Sequence, residues 1–282
     1  MDIKKAVLFM LISTLAFACM NASVKFLTNI GAYQIVFFRS LSSLFFTLGF
    51  LFKNKIPFLG SNKKLLILRG LVGVTSMTLF FMSTKYLPIG TAVSLRYLAP
   101  IFAAIFAVYF LKEKIKQLQW LFFIIAFIGV LILKGLDTEL DSYGLLLILI
   151  SAIFSGLVYV VISKIGKSEH PVVIVNYFMI ISTIVGGILS IGSWVAPIGM
   201  EWLFLFALGV FGYFGQVYMT KAFQLARTSQ VAPLKYAEVI FTVLLGLTIF
   251  GEIYTLWSLL GIILIILGLV LNGLYKGRAD LQ

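Results

Sequence analysis

The feature that most constrains the fold is a series of long apolar runs, separated by short polar connections along 282 residues. A helix of roughly 20 apolar residues spans the hydrocarbon core of a bilayer. Only 11% of the residues are charged and 61% are hydrophobic, whereas soluble domains carry about 25% charged residues. A soluble domain cannot bury this much apolar surface, so the runs predict an all-α integral membrane protein.

The apolar runs predict ten transmembrane helices joined by short connections. They cover approximately residues 6–27, 33–52, 65–85, 90–111, 117–134, 143–164, 171–192, 202–223, 230–250 and 255–275. The connections leave no room for a soluble domain, and several contain the Pro and Gly residues that favour turns.

The loop charges predict the orientation of the bundle. The loop at residues 135–142 contains Asp137, Glu139 and Asp141 and no Lys or Arg. Cations concentrate in the cytoplasmic loops of membrane proteins, which predicts that both termini face the cytoplasm. The compact chain favours the cell inner (plasma) membrane. The opposite set of loops contains most of the cations: Lys4, Lys5, Lys53, Lys55, Lys63, Lys64, Lys112, Lys114, Lys116, Lys164, Lys167, Arg227, Lys276 and Arg278.

The same distribution accounts for the net charge of +12 without a nucleic-acid partner. One Cys and one His leave little scope for a metal site or a disulfide, and we expect no cofactor. The predicted partners are the lipid bilayer and a small-molecule substrate, with a coupling proton as an open alternative, in a monomer or homodimer.

One segment occurs twice, at residues 95–113 and 234–252, with an offset of 139 residues and no gap. In each copy a cationic residue and a Tyr precede an apolar helix, and a Glu follows it. Paired glycines extend the alignment, and the first and sixth spans align at an offset of 138. The matched polar residues are Arg96 with Lys235, Tyr97 with Tyr236, and Glu113 with Glu252.

The two copies predict an internal duplication with five spans in each half, at residues 1–139 and 140–282. Because five is an odd number, the two halves must cross the membrane in opposite orientations. Inverted repeats of this kind are typical of secondary transporters, which place the substrate near the midplane between the halves.

Several short motifs resemble the EamA branch of the drug/metabolite transporter superfamily. They are Leu98–Ala99–Pro100, Lys112–Glu113, Gly251–Glu252, Arg39 within FFRS, and Arg69–Gly70. The resemblance covers nearly the whole chain and implies a central cavity lined by spans one to four and six to nine. The fifth and tenth spans are then peripheral.

The second copy departs from the first because Glu238–Val239 stands where Ala99–Pro100 is expected. This difference predicts that the two helices bend differently and that the pocket is chemically asymmetric.

Polar residues within the spans are the candidate substrate-binding residues. A charge at the bilayer centre costs roughly 2.5–3.5 kcal/mol on insertion scales, so such residues generally face a cavity and serve function. The predicted set is Asn21, Arg39, Arg96, Tyr97, Tyr159, Asn176, Gln216, Lys235, Tyr236 and Glu238.

Arg96 and Lys235 are predicted to attract an anionic group, with the tyrosines donating hydrogen bonds or stacking. The alternative is that both long side chains extend to the membrane interfaces. Arg39 either binds an anion or holds a helix in place through backbone carbonyls. Glu238 either takes up a proton or a substrate ammonium, or forms a structural i,i+3 pair with Lys235.

For the remaining polar residues the sequence leaves two interpretations. Tyr159, Asn176 and Gln216 either line the cavity or hydrogen-bond between helices. Glu113 and Glu252 are predicted to bond the N-terminus of the following helix or to offset nearby lysines.

The favoured function is a secondary active transporter that moves a small polar metabolite by alternating access. The excess of intramembrane cations over acids favours a substrate that carries a carboxylate or phosphate. The alternative is a proton-coupled exporter of amino acids or amphipathic metabolites. An enzyme or a scaffold is less favoured, because no Ser/His or paired Asp dyad appears at membrane depth, and no catalytic residue is assigned.

Overall fold

The computed structural model describes residues 2–83, 85–87, 92, 95–134, 141–251 and 256–279. Every regular element within these ranges is helical, which confirms the predicted all-α class for the part of the chain that the structure describes. Glu252, Asp137 and Glu139, which the sequence singled out, lie outside the described residues.

The helices follow the predicted apolar runs in order. They are α1 (Ile3–Val24), α2 (Ala32–Lys53), α3 (Lys63–Ser83), α4 (Ala99–Leu111), α5 (Gln117–Lys134), α6 (Ser142–Ile165), α7 (Pro171–Ser190), α8 (Glu201–Leu225), α9 (Thr228–Val231), α10 (Ala237–Phe250) and α11 (Leu256–Ala279). Three 3₁₀ segments adjoin them, at Gly166–Ser168, Ile191–Ser193 and Ala232–Tyr236.

Seven of the described helical segments are long and apolar enough to cross a membrane, and three shorter ones are also apolar. Large apolar side chains face outward from the bundle: Phe45 is 77% exposed and Leu256 84% exposed. In water this surface is unfavourable, whereas lipid solvates it. The chain is therefore a multi-pass membrane protein.

Local sequence explains where several helices begin. Asp141 accepts a hydrogen bond from the backbone N–H of Gly144 at 2.8 Å and caps α6. Pro171 opens α7, and Pro100 lies in the first turn of α4. Proline is tolerated there because the first N–H groups of a helix have no intrahelical partner.

The bundle is held together by hydrogen bonds that recur between aligned residues. The Ser13 hydroxyl on α1 donates to the Gly215 carbonyl on α8 at 2.7 Å. Ser151, which aligns with Ser13, donates from α6 to the carbonyl of Ser76 on α3, also at 2.7 Å. Since Ser76 aligns with Gly215, the two hydrogen bonds are related in the manner of contacts across a two-fold axis.

Helices α5 and α11 pack chiefly against each other, and none of their described side chains lines the cavity presented below. They meet at two aligned glycines, where a Cβ atom on Gly129 would meet the Gly261 backbone and one on Gly268 would meet the Phe122 carbonyl. Small residues allow helices to approach closely in lipid. This placement agrees with the peripheral position that the family resemblance implies.

The helices of the duplicated segment are interrupted at nearly the same aligned place. In the first copy a turn at Tyr97 and Leu98 precedes α4, which starts at Ala99. In the second copy the 3₁₀ segment precedes α10, which starts at Ala237, the residue aligned with Leu98. The two helices thus begin one residue apart in the alignment, whereas the backbone before them differs, being a turn in the first copy and a 3₁₀ segment in the second.

Candidate functional site

A cavity of about 640 Å³ lies within the bundle. Residues from each of the segments predicted as spans one to four and six to nine line it. Lys25 and Thr28, which are exposed, line the cavity at the end of the bundle where α1 ends. At its other end the lining residues Arg69 and Gln216 are buried. The cavity therefore has a mouth at one end and a buried polar floor.

Most of the predicted site residues come together in this cavity, although they come from six different spans. The lining includes Asn21, Arg39, Arg96, Tyr97, Tyr159, Gln216, Lys235 and Glu238.

Asn176 was predicted as a site residue but is not among the residues that line this cavity. It is fully buried between α7 and α2, where the Thr47 hydroxyl donates to its Oδ1 at 2.8 Å. The α7 residue that reaches the cavity is Phe178. Positions i and i+2 do not share a helix face, so Asn176 points elsewhere and takes the interhelical alternative.

Tyr236 also lies outside the cavity lining, because it is fully buried behind Lys235. Successive residues of a 3₁₀ segment point about 120° apart, and only Lys235 of the two faces the cavity. The Tyr236 ring contacts its aligned partner Tyr97, with 6.1 Å between ring centroids. The two copies thus meet at equivalent residues.

Arg96 lies half-buried in the wall of the cavity. Its guanidinium carbon is 4.6 Å from the centroid of the Phe80 ring, an attractive cation–π arrangement. Among the described residues, ion pairs form between Asp2 and Lys5 and between Lys235 and Glu238. The charge of Arg96 is therefore not neutralised by a carboxylate in the described part of the chain.

Lys235 is held differently, because Glu238 is paired with it one turn along the chain. The second carboxylate oxygen of Glu238 accepts a hydrogen bond from Asn21 Nδ2 at 3.0 Å. The Lys235 ammonium also lies 4.2 Å from the centroid of the Phe17 ring. The geometry is that of the i,i+3 pair, and all three polar side chains line the cavity.

Arg69 is a cavity residue that the sequence-based set does not include. It is 1% exposed, and its Nη2 donates to Gln216 Oε1 at 2.7 Å. Its guanidinium carbon is 4.3 Å from the centroid of the Phe178 ring. The signal was present in the sequence, because a cation more than one turn inside an apolar span meets the criterion that selects Arg39.

Arg39 is 5% exposed and donates to two thioether sulfurs. Its Nε lies 3.0 Å from Met20 Sδ, and its Nη1 lies 2.7 Å from Met77 Sδ. Thioether sulfur is a weak hydrogen-bond acceptor. The backbone carbonyls that the structural alternative requires do not receive these hydrogen bonds.

The charges of the lining residues are strongly unbalanced. Among the described lining residues, four cationic side chains lie in the walls and floor, against one carboxylate, and Lys25 lies at the mouth. In the low-dielectric surroundings of a membrane protein, a cleft of one sign attracts ions of the opposite sign. The arrangement suits an anionic ligand. The four cationic residues are Arg39, Arg69, Arg96 and Lys235.

Two carboxylates close the end of the bundle opposite the mouth. Glu113, after α4, accepts hydrogen bonds from the backbone N–H groups of Thr228 and Ser229 at 2.7 and 2.9 Å. Glu113 thus caps the N-terminus of α9, whereas the sequence analysis predicted that it bonds the N-terminus of the helix that follows it in the chain. Glu169 accepts from the Ser61 N–H at 2.6 Å.

The sequence profile of the EamA-like transporter family matches residues 4–134 and 142–274. The chain belongs to this family.

Among similar proteins is solute carrier family 35 member G1 of Homo sapiens, 28% identical over 92% of this chain and 76% of its own length. The pseudopaline exporter CntI of Pseudomonas aeruginosa is 27% identical over 95% of both chains. The S-adenosylmethionine uptake transporter of Rickettsia felis is 27% identical over 91% of this chain and 88% of its own. These EamA-family relatives are named as transporters or solute carriers, which supports membrane transport of a small molecule as the activity.

A solved crystal structure has the same fold, with a TM-score of 0.86 over 98% of this chain and 99% of its own, at 17% sequence identity.

Proposed function

We propose that this EamA-family protein is a secondary active transporter for a small polar metabolite that carries a carboxylate or phosphate group. The observation that carries the proposal is the charge of the cavity, where the described lining contains four cationic side chains and a single carboxylate that is already paired. Buried charges are costly unless they are paired. An anionic substrate supplies the missing negative charge.

Alternating access is the proposed mechanism, with ten spans arranged as two inverted five-helix repeats at residues 1–139 and 140–282. The family profile matches the chain in two segments, one in each half. The reciprocal Ser13–Gly215 and Ser151–Ser76 hydrogen bonds support a two-fold relation between the halves. If the two halves exchange their conformations, the cavity closes at one end and opens at the other. The two arrangements are the two states of a transport cycle.

The orientation that we propose places both termini in the cytoplasm of a cell with this protein in its inner membrane. The loop cations support it through the positive-inside rule. The mouth of the cavity then faces outward, and Glu113 and Glu169 close the cytoplasmic end.

A second candidate is a proton-coupled exporter of amino acids or amphipathic metabolites. Glu238 favours it, because this carboxylate lines the cavity. In that mechanism Glu238 meets a substrate ammonium or a proton, while Arg96 binds the substrate carboxylate. One bacterial relative is named as an exporter and another as an uptake transporter, so the family allows either direction.

Counterflow in proteoliposomes tests the proposal. Vesicles containing the purified protein and an excess of unlabelled succinate or phosphate should accumulate the same labelled anion, whereas vesicles loaded with chloride should not. Arg227→Gln is a matched control, because Arg227 does not line the cavity. Counterflow of amino acids without counterflow of either anion would favour the second candidate, and the absence of counterflow with all of them would contradict both.

A further inference from the structure

We infer that Arg39 and Arg69 form an oxyanion subsite at the buried end of the cavity, which binds the carboxylate or phosphate group of the substrate. The inference deepens the proposed transport function and rests on it. It assigns an innermost anion contact to two residues from the first half of the chain, in addition to the contacts of the aligned pair Arg96 and Lys235.

Arg69 has hydrogen-bond donors without acceptors. Its Nη2 is engaged by Gln216, whereas its buried Nε and Nη1 have no partner. A guanidinium offers five N–H donors in a planar fork, and a buried donor without a partner costs about 1–3 kcal/mol. A side chain 99% shielded from solvent cannot recover this energy from bulk water, so the arrangement calls for a ligand.

Arg39 meets its only described acceptors at the sulfurs of Met20 and Met77. A thioether carries no charge and accepts hydrogen bonds weakly. An oxyanion that displaces either sulfur therefore forms a stronger, charge-assisted hydrogen bond. The long, unbranched Met side chains can move aside, because methionine has three rotatable bonds.

The charges of the two guanidinium groups reinforce this requirement. Arg39 and Arg69 line the same cavity with like charges, and Arg96 adds a third guanidinium to its lining. Glu238 does not compensate them, because Lys235 and Asn21 occupy its two carboxylate oxygens. A single oxyanion between two guanidinium forks removes the repulsion and satisfies several donors together.

Two aligned glycines make room for the guanidinium groups. A Cβ atom on Gly73 of α3 would collide with Arg69 Nη1, and one on Gly212 of α8 would lie 3.2 Å from Arg39 Nε. These contacts are tighter than ordinary van der Waals separation. The glycines of the third and eighth spans therefore keep the donors of both arginines unobstructed, in addition to allowing the helices to pack.

Anion binding to the purified protein tests the subsite directly. The melting temperature in detergent is measured against increasing sodium phosphate or sodium succinate, with sodium chloride at matched ionic strength as the reference. Both probes should raise the melting temperature of the wild type and of Arg227→Gln by several degrees at saturation, because a ligand of the folded state stabilises it. Arg39→Gln and Arg69→Gln should each weaken the apparent affinity at least tenfold.

Glycine variants keep the test decisive if an arginine variant fails to fold. Gly73→Ala and Gly212→Ala retain both guanidinium groups and crowd them, and each should weaken the apparent affinity for phosphate and succinate about tenfold. Gly49→Ala is the matched control, because a Cβ atom there meets nothing within 4 Å. Unchanged affinity in Gly73→Ala and Gly212→Ala, or no stabilisation of the wild type beyond that by chloride, overturns the subsite.

The subsite and the transport function fail in different ways. In the first case, phosphate or succinate stabilises the wild type but not the two arginine and two glycine variants, and neither anion shows counterflow. This result overturns transport and retains the subsite. Counterflow of either anion that persists unchanged in Arg39→Gln and Arg69→Gln overturns the subsite and retains transport.

Discussion

The two copies of the repeated segment keep the same backbone plan but differ in charge. Arg96 in the first copy lies against an aromatic ring, with no carboxylate in the described part of the chain to neutralise it. Lys235 in the second copy is paired with Glu238, and Asn21 of α1 supports that carboxylate. The two copies therefore share a helical frame, whereas one additional acid makes one wall of the cavity nearly neutral and leaves the other wall positive.

The last residues of the two copies differ in residue type but have the same backbone conformation. Lys112 ends α4 with a φ of 56°, and the aligned Gly251 ends α10 with a φ of 61°. A left-handed residue commonly ends a helix, and Gly adopts that conformation without a Cβ penalty. The first copy thus tolerates a Lys in a strained conformation at the position where the second copy has Gly.

The largest expected effect is a difference in the loss of stability between Lys235→Ala and Arg96→Ala. Lys235→Ala leaves the Glu238 charge buried without its cation, which costs about 3–5 kcal/mol. Arg96→Ala removes chiefly a cation–π contact, worth about 0.5–1 kcal/mol. Denaturation of both variants in mixed micelles measures the difference. Lys235→Met combined with Glu238→Met should recover most of the loss, and equal losses for Lys235→Ala and Arg96→Ala would remove the contrast between the copies.

The next effect concerns transport, which should need the cation of each copy. Arg96→Ala and Lys235→Ala should each reduce anion counterflow about 10- to 100-fold or more, since a hydrogen bond to a charged group contributes about 1.5–3 kcal/mol. Initial rates in proteoliposomes, normalised to inserted protein, provide the measurement. Wild-type rates in both variants would assign the two cations to structural roles, and Lys221→Gln serves as a control outside the cavity.

A third prediction concerns Glu238, the acid that has no counterpart in the first copy. If a proton is coupled through Glu238, Glu238→Gln should abolish the response of transport to a pH gradient, because the amide keeps the shape of the side chain and cannot take up the proton. Transport rates with and without an imposed gradient test this. A response that survives the substitution places the coupling group outside the second copy.

The smallest effects concern the helix ends. Lys112→Gly should stabilise the protein by roughly 1 kcal/mol by relieving the left-handed lysine, and Gly251→Ala should destabilise it by about the same amount. Thermal denaturation of the two variants measures both signs. Because the affected residues lie at the ends of aligned helices, equal and opposite shifts confirm that the frame is shared, and shifts of the same sign contradict it.

The helices could be predicted from sequence because each apolar run must form its backbone hydrogen bonds within itself in lipid. The composition of the cavity could be predicted largely for the same reason, since intramembrane charges such as Arg39 and Lys235 are costly anywhere else. The partners could not be predicted. Asn21 meets Glu238 across 217 residues, and Arg69 meets Gln216 across 147 residues.

The direction in which individual side chains point also could not be predicted from the sequence pattern. The apolar spans are hydrophobic on all sides, so no polar stripe indicates which face of α7 turns inward, and the two interpretations of Asn176 could not be separated from the sequence. Likewise the sequence does not show the 3₁₀ segment Ala232–Tyr236, whose tighter winding turns Tyr236 away from the cavity.

The contact between Tyr97 and Tyr236 has a consequence for motion. In the proposed inverted repeat, a pair of equivalent residues that touch each other lies beside the axis relating the two halves, and an exchange of conformations between the halves maps that contact onto itself. In the proposed cycle this aromatic contact is the fulcrum, about which both ends of the bundle swing while the rings remain together.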